Sequence, residues 1–304
     1  MRSARRLRDR PVLTGAARLA HRTVPRGPVA WRSPALGLVA FDTSLAGPTS
    51  TAHALARAAR AAGHPLTVVS ARSLDAGSVA AAVETLLCRE VGGVLAVAPT
   101  DPALAALSRI PADVPLVAVG AGETAGVPVV GFDNVAGAGA ATRHLLDLGH
   151  QTVHHIAGPP GWPEARERAA GWRAALAEAG VPVGLVLAGD WSVRSGYEAA
   201  RQLATGPGVT AIFCASDPMA LGAMRALHLA GRSVPEEVSV VGFGDIAEAP
   251  FLRPPLTTVR QDLAALGRAS IDLLVRQIAE GRRIGRHTRV PPALVKRDSA
   301  APVV

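Results

Sequence analysis

From residue 35 onward, short apolar runs alternate with Ala-rich amphipathic stretches, and this rhythm limits the possible folds more than any other feature of the chain. Ala35–Phe41 (ALGLVAF), 66–70, 94–98, 116–119 and 127–131 read as strands, with helices over 50–62, 78–89, 102–109 and 136–148. The pattern then repeats: strands over 153–156, 185–188, 210–214 and 239–241, and helices over 164–179, 195–204, 218–230 and 263–280. A continuous Val/Ile/Leu run is buried on both faces, as in a parallel sheet covered by helices. Two successive sets of such units predict two doubly wound α/β subdomains with parallel sheets. The 304 residues are enough for two cores of that kind. Ligands in this architecture bind beyond the carboxyl ends of the strands.

Short polar residues and glycines recur at those ends: Asp42-Thr43-Ser44, Gly120-Ala121-Gly122, Gly131-Phe132-Asp133-Asn134, Ala215-Ser216-Asp217 and Gly242-Phe243-Gly244-Asp245. Such residues either cap the next helix or face a ligand. For Asp217, with Pro218 at the first helical position, capping is the expected role. Gly242-Phe243-Gly244 lacks the third glycine of a dinucleotide fingerprint. His154 and His155 are adjacent on a strand, so they point to opposite faces and cannot share a metal. No nucleophile–base set, P-loop or carboxylate pair is visible, so no enzyme, cofactor or metal is expected. Cys88 and Cys214 are far apart and outside any CxxC pair, which points away from a disulfide framework and toward a reducing compartment. No apolar run reaches the roughly 18 residues of a membrane helix, so a cytoplasmic protein without membrane contact is expected.

Charge is unevenly placed. Residues 1–32 hold nine arginines and one acid, Asp9, whereas the rest carries 23 basic and 23 acidic residues. This basic arm, 1–34, is expected to be disordered. It is either a solvated leader or a phosphate-binding segment, with Arg2, Arg5, Arg6, Arg8 and Arg10 as the DNA-contact candidates. Arg18, His21 and Arg22 interrupt any apolar stretch that would make it a signal peptide.

ALGLVAFD at 35–42, VVGFDN at 129–134, HLLDLGH at 144–150, IAGPP at 156–160, ARERAAGWRAALAEAG at 165–180, GDWS at 189–192, ASDPMALGAMRAL at 215–227, VPEEVSVVGFGD at 234–245 and PPLTTVRQD at 254–262 occur in that order. Over about residues 35–300 the set resembles the effector-binding core of LacI-family bacterial transcription regulators, lac-repressor-like members in particular. The resemblance implies a periplasmic-binding-protein type I fold, with three crossovers near Gly131–Asn134, Thr258–Gln261 and Ile284–Thr288. One subdomain would hold 35–131 plus 262–284, the other 132–259 plus 287–304. Pro254-Pro255 stiffens the segment before the second crossover. The implied function is a LacI-type transcription regulator, repressor or activator: a sugar-like small-molecule effector in the cleft controls operator DNA binding by a homodimer. The alternative is a stand-alone small-molecule-binding protein, a headless sensor or an uptake protein, without specific DNA binding.

The same resemblance, carried over position by position, makes Asp42, Arg166, Arg168, Trp191, Ser216, Asp217, Asp245 and Gln261 the candidate ligand contacts. Arginine offers a fixed fork of donors for hydroxyls or carboxylates, and tryptophan an apolar wall with one N–H. The chain also departs from the family pattern. Gly120 and Gly244 stand where acids are usual, Ser216 where Asn is usual, and Leu45-Ala46-Gly47-Pro48 where Asn-Pro-Phe-Phe is usual. These changes remove polar and stacking groups, so either the ligand is not an ordinary sugar bound in the usual way or the pocket has lost its effector. A full family chain opens with a helix-turn-helix of about sixty residues. Only 34 residues precede the first strand here, without two amphipathic helices around a turn. Three expectations compete: a start upstream of Met1, a head replaced by the arginine arm, or a chain that senses ligand without binding DNA.

Overall fold

In the computed structural model, residues 35–41, 45–73, 75–206 and 208–303 are described. The first sheet takes β1 (Leu36–Phe41), β2 (Leu66–Ala71), β3 (Val94–Val97), β4 (Leu116–Val119), β5 (Val129–Phe132) and β11 (Thr288–Val290), in the order β11-β5-β4-β3-β1-β2 and all parallel. The second takes β6 (His154–Ala157), β7 (Val186–Ala188), β8 (Ala211–Cys214), β9 (Ser239–Gly244), β10 (Thr257–Arg260) and β12 (Ala293–Val295), in the order β12-β10-β9-β8-β6-β7. Only β12 in that sheet runs antiparallel.

The apolar runs are continuous because both faces of each sheet are covered. In the first sheet, Leu38, Leu95 and Val117 face α1 (Ala46–Ala61) and α8 (Leu263–Glu280). Their neighbours Val39, Ala96 and Ala118 face α2 (Ala76–Leu87) and α3 (Asp101–Leu107). Period-two alternation on a strand produces this division. In the second sheet, Ile212, Cys214 and Val240 join a core with α6 (Val193–Ala204) and α7 (Asp217–Leu229). Ala211, Phe213 and Val241 join another with α4 (Asn134–Asp147) and α5 (Pro163–Glu178). Each sheet with its helices forms one lobe.

The chain passes between lobes after β5, after β10 and after β11. The first two passages end at once in a capped helix. Asp133 accepts from Ala136 N at 2.9 Å to start α4, and Asp262 accepts from Ala265 N at 2.9 Å to start α8. Carboxylates there satisfy first-turn amides and set where each helix begins. Two placements differ from the sequence expectation. Residues 257–260 form a full strand between β9 and β12, so the second passage lies at Gln261-Asp262. Thr288–Val290 pairs with β5 in the first sheet, which moves the third passage from 284–288 to Pro291-Pro292 and puts residues 288–290 in the first lobe rather than the second. A three-residue edge strand with two polar members leaves no periodic signal in a sequence. Cys88 is exposed, Cys214 buried, and both are free thiols.

Candidate functional site

The carboxyl ends of the central strands of both sheets face one cleft of about 280 Å³. That is near the small end of ligand pockets, roughly 300–1,000 Å³. The first lobe supplies the N-terminal turn of α1, the ends of β3 to β5, and Leu263 and Leu266 of α8. The second supplies the first turns of α5, Trp191, Ser216 and the loop 243–247, with Gln261 at the passage between the lobes.

Arg168 is the buried cation of the site. It is 7% exposed, and its guanidinium is fixed on three sides. Nε donates to Asn134 Oδ1 at 3.0 Å, Nη1 donates to the Ala215 carbonyl at 2.6 Å, and the group lies 3.9 Å above the Phe243 ring. Nη2 has no partner among the described residues. Burial pulls the Arg168 pKa down to about 10, with the carboxylates of Glu164, Asp217 and Glu167 opposing that pull, so it stays charged at neutral pH. Asn134 is itself anchored, donating to Glu167 Oε2 at 2.8 Å. Glu167 also accepts from Gly122 N at 3.3 Å and pairs with Arg289 at 3.4 Å, both in the first lobe. Glu164, one turn before Arg168, lines the same cleft, and burial pushes its carboxyl up to about 7.

Three described non-glycine residues have positive φ, and two of them, Trp191 (74°) and Asp245 (57°), line the cleft. Such backbone is costly away from glycine and persists where surroundings hold it. For Trp191 the holder is a small hydrogen-bonded loop. Ser192 N donates to Asp190 Oδ1 at 2.9 Å, Asp190 N to Ser195 Oγ at 3.0 Å, and Ser195 N to Ser192 Oγ at 3.1 Å. The indole then lies over Gly158, where a Cβ would fall 2.2 Å from the ring, and meets Trp162 edge-on at 5.6 Å. Its Nε1 is buried without a hydrogen-bond partner among the described residues. For Asp245 the holders are Arg260 at 2.6 Å and Arg297 at 2.7 Å. Burial pushes the Asp245 carboxyl up, but the two guanidiniums outweigh it, and its pKa lies below the ordinary value.

Of the candidate contacts, Arg168, Trp191, Ser216, Asp245 and Gln261 meet at this cleft. Arg166 and Asp217 are not on its wall. Arg166 turns outward and forms a bidentate pair with Asp101 of the first lobe, 2.8 Å on each arm. Asp217 lies fully buried behind the wall, accepting from Ile246 N at 2.9 Å and from the Thr258 hydroxyl at 2.5 Å. Burial raises its pKa. Ser216, not Asp217, caps α7, accepting from Met219 N. Asp42 and the arm residues Arg2, Arg5, Arg6, Arg8 and Arg10 lie outside the described residues. His155 is a core group, stacked between Trp172 and Phe213, and His154 accepts from Leu185 N at 3.0 Å. Asn134, Trp162 and Glu164 were not among the candidate contacts. Asn134 stood among the polar strand-end residues, Trp162 is an aromatic inside a Gly/Pro-rich loop, and Glu164 carried no local signal. Gly120, Gly244 and Leu45–Pro48 all face the cleft, so the exchanged positions do belong to its wall.

Two α/β lobes joined by three chain passages around a cleft that holds a buried guanidinium and an indole define a small-molecule-binding core. The comparisons agree with that class. The family model for a periplasmic binding protein-like domain matches residues 142–300. The lactose operon repressor of Klebsiella pneumoniae is 35% identical over 277 residues, covering 89% of this chain and 77% of that one. The ribose operon repressor of Escherichia coli K12 is 35% identical over 224 residues, 72% of this chain and 68% of that one. Among solved structures, a dimeric lac repressor with an 11-residue C-terminal deletion superposes with a TM-score of 0.81 at 30% identity, covering 88% of this chain and 99% of that one. A complex of the regulator CelR with cellobiose gives 0.78 at 31% identity, covering 88% and 85%. The chain belongs to the LacI family of transcriptional regulators and carries its periplasmic-binding-protein-like core. Among the described residues no helix is long and apolar enough to cross a membrane.

Proposed function

We propose that this chain is a cytoplasmic, homodimeric transcriptional regulator whose operator binding is set by a carbohydrate-like effector in the inter-lobe cleft, acting by binding alone and catalysing nothing. The observation that carries this reading is the start of α5. Arg168 reaches into the cleft from the same two turns that send Arg166 to Asp101 and Glu167 to Arg289 across the lobe boundary. A ligand that engages Arg168 therefore acts on the helix that fastens one lobe to the other. The passages at 132–134, 260–263 and 290–293 are the hinges, and effector shifts the lobe equilibrium only by its difference in affinity for the two arrangements. The apolar ring faces of Trp191 and Trp162 suit the C–H face of a sugar. Repressors of lactose and ribose operons and a cellobiose-bound regulator among the relatives support the same ligand class.

The test has two arms. Thermal melting with lactose, cellobiose and ribose should raise the midpoint for at least one, and fluorescence anisotropy on DNA from the region upstream of its own gene, over a salt series, should show that this sugar changes sequence-selective binding. Stabilisation by a sugar together with DNA binding that is weak, salt-sensitive and indifferent to sequence would identify a sensor without operator recognition.

A further inference from the structure

Among the described residues, two carboxyls line the cleft. Both oxygens of Asp245 are taken by Arg260 and Arg297. Glu164 makes no hydrogen bond or ion pair with any described residue, although it opens onto the same space. Its Oε1 reaches across the cleft to 3.9 Å from the point where a side chain on Gly120, in the first lobe, would begin. Gly120 offers nothing itself: φ is +151°, and a Cβ would meet the Ala98 carbonyl at 3.0 Å. The carboxyl that faces the first lobe's strand ends therefore comes from the second lobe's helix. Arg168 lies four residues on, on the same face of α5, with Nη2 unpaired. The two side chains present an acceptor next to a donor. Burial without a partner also accounts for a Glu164 pKa of about 7, and Arg168 alone pulls it back toward the charged form.

We propose that Glu164 is the specificity-determining residue of the cleft: its carboxylate accepts from hydroxyls of a polyol effector while Arg168 donates to an adjacent oxygen. This rests on the carbohydrate reading above. An ammonium ligand is disfavoured because it would meet the Arg168 guanidinium at the same spot. A carboxylate ligand would be repelled by Glu164 once ionised. Adjacent neutral hydroxyls satisfy both groups, each able to give one hydrogen bond and take another.

The experiment compares wild type, Glu164→Gln and Glu164→Ala by isothermal calorimetry, with lactose, cellobiose and ribose as probes and the monodeoxy analogues of whichever sugar binds. The expected result is a loss of tenfold or more in Glu164→Ala, a smaller loss in Glu164→Gln, and at least one deoxy position whose penalty in wild type vanishes in Glu164→Ala. Both variants should melt no lower than wild type, because each removes a carboxyl that has no partner. Glu164→Ala binding within twofold of wild type, or deoxy penalties equal in both backgrounds at every position, overturns this proposal and leaves the effector reading standing. Failure of wild type to bind all three sugars overturns both.

Discussion

Replacing Arg168 by methionine removes the guanidinium while keeping an unbranched apolar stem of similar reach. Two buried acceptors, Asn134 Oδ1 and the Ala215 carbonyl, lose their donor. Each such orphan costs about 1–3 kcal/mol. The stack on Phe243, at 3.9 Å, contributes about 0.5–2 kcal/mol more. Relief of desolvation works the other way. A guanidinium drawn down from its ordinary value to about 10 by burial carries roughly 3 kcal/mol of strain that methionine does not. The balance is a destabilisation of about 0–5 kcal/mol, and at about 2–4 °C per kcal/mol for a chain of this size a value near the middle of that range is a fall of about 5–10 °C. Binding should suffer more than folding, because no compensating relief exists there: loss of a charge-assisted hydrogen bond of about 1.5–3 kcal/mol weakens effector affinity about 10- to 150-fold. Differential scanning calorimetry reads the first number and titration calorimetry with a sugar that binds wild type reads the second. A variant that melts several degrees lower yet binds within threefold would refute the placement of Arg168 as a ligand group and leave it a structural cation.

His155 gives a pH signature. Full burial depresses its pKa from 6.5 to about 4, so above pH 6.5 neither state holds the proton, and as pH falls from 6.5 to about 4 only the unfolded chain takes it up. Stability should drop by up to about 3 kcal/mol across that window, and denaturant titrations of His155→Gln should show a flatter profile. Gly158→Val should displace the indole of Trp191, since even a Cβ would lie 2.2 Å from the ring; near-ultraviolet circular dichroism should change while far-ultraviolet signal stays constant. Asp101→Ala breaks an ion pair whose side chains are 54% and 49% exposed, so folding should shift by less than about 1 kcal/mol, whereas small-angle scattering should report a more open average separation of the lobes. Asp217→Ala leaves the Thr258 hydroxyl and Ile246 N–H without an acceptor behind the cleft wall and should cost about 2–5 kcal/mol in urea unfolding.

Much of the fold could be read from patterning because hydrophobic burial acts locally along each strand. Runs such as ALGLVAF and AIFC are apolar at every position, and only a sheet covered on both sides requires that. The helix after Asp133 followed for the same local reason, since a polar residue at a strand end caps the helix that begins there. The short strands Thr288–Val290 and Ala293–Val295 did not, because each is specified by the neighbour it pairs with and not by its own residues.

The cleft divides along the same line. That a cleft would lie at the carboxyl ends of the strands followed from the alternation of strands and helices, and the family resemblance pointed to Arg168 and Trp191, which lie on its wall. Whether a given polar side chain faces ligand, solvent or its own protein depends on partners distant in sequence. Arg166 and Arg168 are two residues apart on one helix, yet Asp101 draws the first outward and Asn134 with Ala215 fixes the second within. Asp217 read as a helix cap and Asp245 as a ligand contact, yet Asp217 is held by Ile246 N and the Thr258 hydroxyl, and Asp245 by Arg260 and Arg297. Glu164 was visible only as the first residue of a helix, and it has no hydrogen-bond or ion-pair partner among the described residues beside the gap at Gly120. Local sequence sets which residues arrive at the strand ends, and only the packing of two lobes decides which of their charges remain unsatisfied there.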